Sequence, residues 1–143
     1  MVLIIKIITM ENLYNLFKFI EDKYPQYRVP FEVKIINNIE LSKEDLDFKG
    51  NVDLSESNIK SLPDGLKVGG YLNLRGCISL TSLPDDLVVG GNLNLRGCTS
   101  LTSLPRDLKV DGWLGLKRTP MTIKYTVEQI REMCPGIKGD IYL

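Results

Sequence analysis

The chain has 143 residues, no histidine and only three cysteines. The missing histidine excludes Ser-His-Asp triads, Cys-His dyads, histidine-ligated zinc and histidine-ligated haem. Three cysteines are too few for a disulfide scaffold or a four-cysteine zinc site. The chain also lacks a charge excess, because 18 lysines and arginines balance 18 aspartates and glutamates. General binding to nucleic acid or to an anionic membrane usually needs a basic excess, so neither is expected.

Long apolar runs are missing as well. Residues 1–9, MVLIIKIIT, are strongly apolar, but a membrane helix needs about 20 such residues. Lys6 interrupts this stretch and no small-residue cleavage site follows it, so a signal peptide is not expected. We interpret it as a strand or cap segment, with a natural start at Met10 as the alternative. The few cysteines favour a cytoplasmic protein.

A repeat dominates the second half of the chain. Residues 61–81 and 82–102 match nearly letter for letter, and residues 103–122 begin with the same SLP. The pattern apolar-x-G-x-apolar-x-apolar extends the repeat to five copies. These copies are Phe48–Leu54, Val68–Leu74, Val89–Leu95, Val110–Leu116 and Ile137–Leu143. Residues 35–41 form a weaker sixth copy, in which Asn37 replaces the glycine.

One repeat can be interpreted physically. Leu72 and Leu74 alternate with polar residues, which predicts one strand per repeat with leucines on one face. The glycine before each strand is expected to permit a tight turn, and Gly76 and Gly97 are expected where the chain turns sharply after the strand. No single repeat can bury its leucines, so at least about three must stack in parallel.

The motif L-x-L-x-x-C-x-x-L-x-x-L-P-x-x-L runs from Leu72 to Leu87. Residues 48–143 therefore resemble the short, L-P-containing leucine-rich repeats of bacterial effectors and of phage-encoded repeat proteins. The resemblance implies a solenoid that serves as a binding scaffold and uses its concave strand face for binding. The asparagine that usually forms a ladder after the strand is replaced here. Its replacements are Ser57, Cys77, Cys98 and Thr119.

The N-terminal flank is predicted to cap one end of the stack. Residues 10–24 carry apolar and aromatic side chains at helical spacing, and Pro25 ends the helix. Residues 31–41 are expected to be extended and to join the first edge of the stack. We interpret the aromatic helix as a lid on the first repeat.

The C-terminal flank is predicted to cap the other end. Thr126 and Gln129 form a capping-box pair, which predicts a helix at about 127–134. A last strand is expected at about 139–143, and its outer edge is a candidate for self-association although the charge of Asp140 favours a monomer. The predicted fold class is an α+β solenoid, a small leucine-rich-repeat-like stack of parallel strands. Its three parts are an N-terminal cap at 1–47, repeats at 48–122 and a C-terminal cap at 123–143.

The outward positions of the predicted strands form a candidate binding face. This face carries the only tryptophan and a cationic column, and interfaces favour tryptophan, tyrosine and arginine as anchors. Stacked like charges repel one another, which predicts a protein partner with an acidic surface. The predicted partner-binding residues are Tyr71, Asn73, Arg75, Asn92, Asn94, Arg96, Trp113, Lys117 and Tyr142. The alternative is a solvated polar face produced by repeat duplication.

The remaining candidates for chemistry are weak. Cys77 and Cys98 occupy equivalent positions one repeat apart, where a disulfide or two buried thiols both fit, and burial is favoured. Cys134 has no histidine to activate it. The glycine pairs, such as Gly69–Gly70, lack the phosphate-loop pattern. No catalytic residue, metal or cofactor is therefore expected.

The sequence predicts a cytoplasmic, non-enzymatic protein–protein interaction module. A binder of bacterial or phage type that sequesters or inhibits its target fits the repeats best. The alternative is a structural or assembly subunit that associates through its end caps. An enzyme is disfavoured, because general acid–base chemistry here lacks both histidine and a visible carboxylate pair.

Overall fold

The computed structural model describes residues 10–143, with side chains from Asn15 onward. The strand or cap segment predicted for residues 1–9 lies outside the described residues. The chain divides into two compact units, with the boundary between Glu40 and Leu41. Within the described residues, no helix has both the length and the apolar character needed to cross a membrane.

The first unit begins with the predicted helix. Helix α1 spans Met10–Lys23 and stops two residues before Pro25. Glu21 of this helix accepts two bonds at one oxygen, from Lys34 Nζ at 2.9 Å and from the backbone N–H of Val29 at 3.1 Å. The lysine side chain is buried, so the ion pair compensates a charge removed from water. That α1 covers the first repeat remains a prediction.

The extended segment predicted at 31–41 is wrong, because Phe31–Ile36 forms helix α2. Its buried positions recur at helical spacing, but the charged Lys34 occupies one of them and hides the pattern. Asn37 closes this helix, and its side-chain amide donates to the carbonyl of Val33 at 2.8 Å. The weak sixth copy at 35–41 is therefore a helix end and not a repeat.

The second unit is a solenoid of stacked parallel strands with short helices at both ends, which confirms the predicted fold class. Its helices are α3 (Lys43–Leu46), α4 (Met121–Lys124) and α5 (Val127–Met133). One sheet contains β1 (Asp47–Phe48), β3 (Lys67–Val68), β5 (Val88–Val89) and β7 (Lys109–Val110), paired in that order. The other contains β2 (Val52–Asp53), β4 (Leu72–Asn73), β6 (Leu93–Asn94), β8 (Leu114–Gly115) and β9 (Ile141–Tyr142), again in order.

The first four copies therefore form two strands each, where the sequence predicted one. The fifth copy forms β9 and, at Ile137, an isolated bridge to Val110. The strand that was not predicted precedes the predicted strand in each of the first four copies. It includes the first apolar residue of the pattern, for example Val89, which is fully buried. The leucines of the five-stranded sheet and Val89 enclose a common core, since Leu93 and Leu95 are also fully buried. Each such side chain contributes about 1.5–3 kcal/mol of burial free energy.

The glycines before the strands permit close packing of successive repeats. A Cβ on Gly91 would lie 2.8 Å from the carbonyl carbon of Gly70, and one on Gly112 would lie 2.7 Å from that of Gly91. None of these three has a positive φ, so contact between repeats, and not turn conformation, requires glycine there. The turns after the strands have the left-handed backbone that favours glycine, since Gly76 and Gly97 have φ of 72° and 77°.

The C-terminal part begins at the predicted capping box. The backbone N–H of Gln129 donates to Thr126 Oγ1 at 3.3 Å, and the N–H of Thr126 donates to Gln129 Oε1 at 2.9 Å. Helix α5 follows, and it buries Ile130. Strand β9 then pairs in parallel with β8 and continues the five-stranded sheet.

Candidate functional site

The nine predicted partner-binding residues lie on the outer surface of the five-stranded sheet, which we call the strand face. Strand register arranges the side chains of this face in three rows. The first row is Asn51, Tyr71, Asn92, Trp113 and Asp140. The middle row is Asp53, Asn73, Asn94, Gly115 and Tyr142. The third row is Ser55, Arg75, Arg96 and Lys117. We call its three cations, together with the neighbouring Arg118, the cationic row.

The first row alternates amides with aromatic rings. The side-chain oxygen of Asn51 accepts from the backbone N–H of Tyr71, and that of Asn92 accepts from the N–H of Trp113, each at 3.0 Å. These hydrogen bonds connect each asparagine side chain to the backbone of the following repeat. Tyr71 is exposed and Trp113 is half-buried, so the aromatic rings are the part of this row left available for contact.

The asparagines of the middle row fix the turns that follow the strands. The side-chain oxygen of Asn73 accepts from the backbone N–H of Arg75 at 3.2 Å, and Asn94 does the same for Arg96 at 3.3 Å. A side-chain oxygen that accepts from the backbone N–H two residues later defines an Asx turn. The asparagines therefore position the backbone from which the arginine side chains extend.

Asp53 anchors the start of the middle row. Its carboxylate accepts from the hydroxyl and backbone N–H of Ser55 and from the amide of Asn73. The hydrogen bonds from Ser55 hold the pKa of this carboxyl below its ordinary value. Asp53 therefore carries a negative charge at neutral pH, beside a row of cations.

An aromatic and cationic cluster is centred on Trp113. The indole packs edge-on against Tyr142, with centroids 6.0 Å apart and an interplanar angle of 78°. The guanidinium carbon of Arg96 lies 5.4 Å from the indole centroid. These contacts link three neighbouring repeats and restrict the movement of the indole.

Gly115 makes this cluster possible, and it is not among the site residues predicted from the sequence. A Cβ at this position would lie 2.9 Å from Trp113 Cζ3 and 3.3 Å from Arg96 Nε. The two preceding repeats carry Asn73 and Asn94 at the same register. The available signal was that glycine replaces asparagine only in the repeat that contains the tryptophan.

The cationic row lines a surface depression of about 560 Å³. The charged residues that line it are Glu56, Arg75, Arg96, Lys117 and Arg118. Glu56 and Arg118 adopt the left-handed backbone, with φ of 58° and 64°, where the intervening repeats have glycine. Arg118 was not predicted from the sequence, although it aligns with Gly76 and Gly97.

The three cysteines are buried free thiols. Cys77 Sγ donates to the carbonyl of Leu54 at 3.0 Å, and Cys98 Sγ donates to that of Leu74 at 3.1 Å. Burial, followed by the neighbouring Cys77, raises the pKa of Cys98 to about 12. The thiols therefore satisfy carbonyls between repeats and are not paired with each other.

The strand face thus combines rigid aromatic anchors, fixed turns and adjacent positive charge on one surface. No family model, curated protein or solved structure matches the chain. Inference about function consequently rests on the residues of this face.

Proposed function

We propose that this protein is a non-enzymatic interaction module that binds a target protein through the strand face. The observation that carries this proposal is the cluster of Arg96, Trp113 and Tyr142 beside the cationic row. Tryptophan, tyrosine and arginine dominate the energetic centres of protein interfaces. The resemblance of the repeats to leucine-rich repeats supports the same surface.

The fixed geometry of the cluster favours affinity. Immobilising a flexible side chain on binding costs about 0.5–1.5 kcal/mol. Trp113 already has contacts with Arg96 and Tyr142 and its backbone is held by Asn92, so much of that cost is met within the folded protein. A partner therefore gains contact area from the indole with little further loss of entropy.

The charge of the face favours an acidic partner. Arg75, Arg96 and Lys117 are exposed and lie in the turns that follow adjacent strands, whose backbones are spaced by roughly 4.8 Å. Repulsion between unit charges at such distances is of the order of 1 kcal/mol even in water. Carboxylates of a partner convert this repulsion into attraction and increase the association rate.

Binding is itself the activity in this proposal, and its consequence is sequestration or inhibition of the target. The buried thiols of Cys77, Cys98 and Cys134 suit a reducing compartment, which supports a cytoplasmic location. A bacterial or phage origin is proposed on the resemblance of the repeats alone.

The proposal is tested by affinity capture from cells that express the protein, with mass spectrometry of the captured proteins. The test variant carries Trp113→Ala with Arg96→Glu. The control carries Arg106→Glu with Ile123→Ala, which changes an exposed cation and an exposed apolar residue outside the strand face. We expect the control to retain the partner and the test variant to lose it. Retention of every captured protein by the test variant contradicts the proposal.

An assembly role is the second candidate. Strand β9 has β8 as its only neighbour in the five-stranded sheet of residues 41–143, and Tyr142 and Leu143 at this edge are exposed. An unpaired edge strand is a template for association. Light scattering over a range of concentrations tests it, and a constant monomer mass rejects self-association.

A further inference from the structure

Two depressions on the strand face meet at Asn94. The smaller, of about 260 Å³, lies between Tyr71 and Trp113, and we call it the notch. The larger is the depression of the cationic row, and Asn94 lines both. Arg96 lies against Trp113 at the junction. An aromatic recess and a positively charged recess therefore adjoin, and two side chains of one segment can occupy them together.

The notch has the shape of a socket for one apolar side chain. Tyr71 and Trp113 belong to the same row, two repeats apart, which places their backbones roughly 9.6 Å from each other. Asn92 lies between them, and its oxygen is already engaged by the backbone N–H of Trp113. The two aromatic residues thus flank the notch, and Asn92 lines it from the repeat between them.

The adjoining cations are available to a ligand. Arg75, Arg96, Lys117 and Arg118 are exposed, and none of them forms an ion pair with another residue in the described part of the chain. An extended segment places side chains i and i+2 on the same side, roughly 6.6–6.8 Å apart. The two depressions share Asn94, so side chains with this spacing can enter both.

The acidic residues around the two depressions favour a short acidic segment over a long polyanion. Glu56 lines the larger depression, the Asp53 carboxylate accepts from the amide of Asn73 beside the notch, and the Asp140 carboxylate lies 3.5 Å from the Tyr142 hydroxyl. A continuous phosphate backbone that crosses the face would approach these carboxylates. A segment with one or two carboxylates reaches the cations and avoids them.

We infer, resting on the proposed function, that the target presents an extended segment to this surface. One apolar side chain of the segment occupies the notch, and the carboxylate of an aspartate or glutamate two positions along the segment binds Arg96. Arg96 and Trp113 then determine specificity together, because each contacts one of the two paired side chains.

Selection of displayed short random peptides on the full-length protein tests this inference. We expect the selected peptides to share an apolar residue and an acidic residue spaced by two. A selected peptide without tryptophan should change the fluorescence of Trp113, the only tryptophan in the chain. Replacing its acidic residue by the corresponding amide should weaken binding by about tenfold or more.

Protein variants locate the contacts. Arg96→Gln should weaken the peptide by about tenfold, whereas the matched change Arg106→Gln should leave its affinity within about twofold. Equal effects of the two changes overturn the inference. The inference is also overturned if the selected peptides lack the spaced pair or if no peptide is selected. It is overturned as well if single-stranded DNA displaces the peptide at similar concentrations.

The two proposals fail in different ways. If the whole target is captured through the strand face while no peptide with the spaced pair is selected, only the inference about the segment is rejected. If capture of the target is unaffected by Trp113→Ala with Arg96→Glu, the proposed function is rejected first.

Discussion

Replacing Gly115 by asparagine, the residue that the two preceding repeats carry, tests the role assigned to the Trp113 cluster. The new side chain must occupy space that Trp113 and Arg96 now fill, since a Cβ alone lies 2.9 Å from the indole. We expect the indole to move away from Tyr142 and the guanidinium to move away from the indole.

The magnitude follows from the two interactions of the indole that this movement breaks. A surface cation–π interaction contributes about 0.5–1 kcal/mol, and an aromatic pair such as Trp113 and Tyr142 about 0.5–1.5 kcal/mol. In the opposite direction, replacing glycine within a strand restores about 0.5–1 kcal/mol, since glycine loses more conformational entropy on folding. The Gly115→Asn variant should therefore be less stable by about 1 kcal/mol.

Urea unfolding in two backgrounds measures this effect, with Trp113 fluorescence as the second observable. In the native background we expect the Gly115→Asn change to lower the free energy of unfolding and to shift the emission toward that of exposed tryptophan. In a Trp113→Ala background, followed by circular dichroism, the same change should be neutral or stabilising, because no indole is displaced. An equal destabilisation in both backgrounds refutes the assignment of Gly115 to the indole.

Three further predictions concern the scaffold. Gly91→Ala should lower the free energy of unfolding more than Gly97→Ala. The first change places a Cβ against the backbone of Gly70 and costs about 3 kcal/mol, whereas the second costs about 1–2 kcal/mol because of the left-handed backbone alone. Urea titrations of both variants measure the two losses, and equal losses contradict the prediction. Leu93→Ala should lower it by about 2–5 kcal/mol in the same assay, since this side chain is fully buried, and a loss below about 1 kcal/mol contradicts the core assignment. The pKa of Cys98, raised to about 12 from 9.0, means that the folded protein retains this proton more tightly than the unfolded chain, so its contribution to stability is complete below pH 9 and is lost as the pH rises toward 12. Iodoacetamide at pH 9 should label Cys98 in urea and not in the native protein, and native labelling contradicts its burial.

The architecture could be predicted because the information is local and repeated. Alternating leucines such as Leu72 and Leu74 define the strand face and the core, and repetition fixes their parallel stacking. The capping box of Thr126 and Gln129 lies within four residues, so it could be recognised and is present in the structure. Helix α2 was not recognised because Lys34 is buried as an ion pair with Glu21, a contact between distant residues that hydrophobic spacing does not record.

The candidate site was predicted only as a set of outward residues. Register places Arg96 and Trp113 on neighbouring repeats, but their stacking depends on side-chain conformation and on the free volume above Gly115. Those quantities are set by packing across strands, not by sequence spacing. Arg118 was not predicted because it occupies the left-handed turn position that is Gly76 or Gly97 in other repeats. Composition alone does not show that a charged residue occupies a position where glycine is expected.

The contact of each repeat with the next through a glycine such as Gly91 makes the solenoid extensible in whole units. Residues 61–81 and 82–102 are nearly the same sequence, so either can follow the other with the same fit of backbone to backbone. Duplicating one of them lengthens the strand face by the spacing between neighbouring strands, roughly 4.8 Å, and adds another arginine to the cationic row. The length of the strand face available to a target therefore changes in steps of one repeat, and no individual contact between repeats has to change.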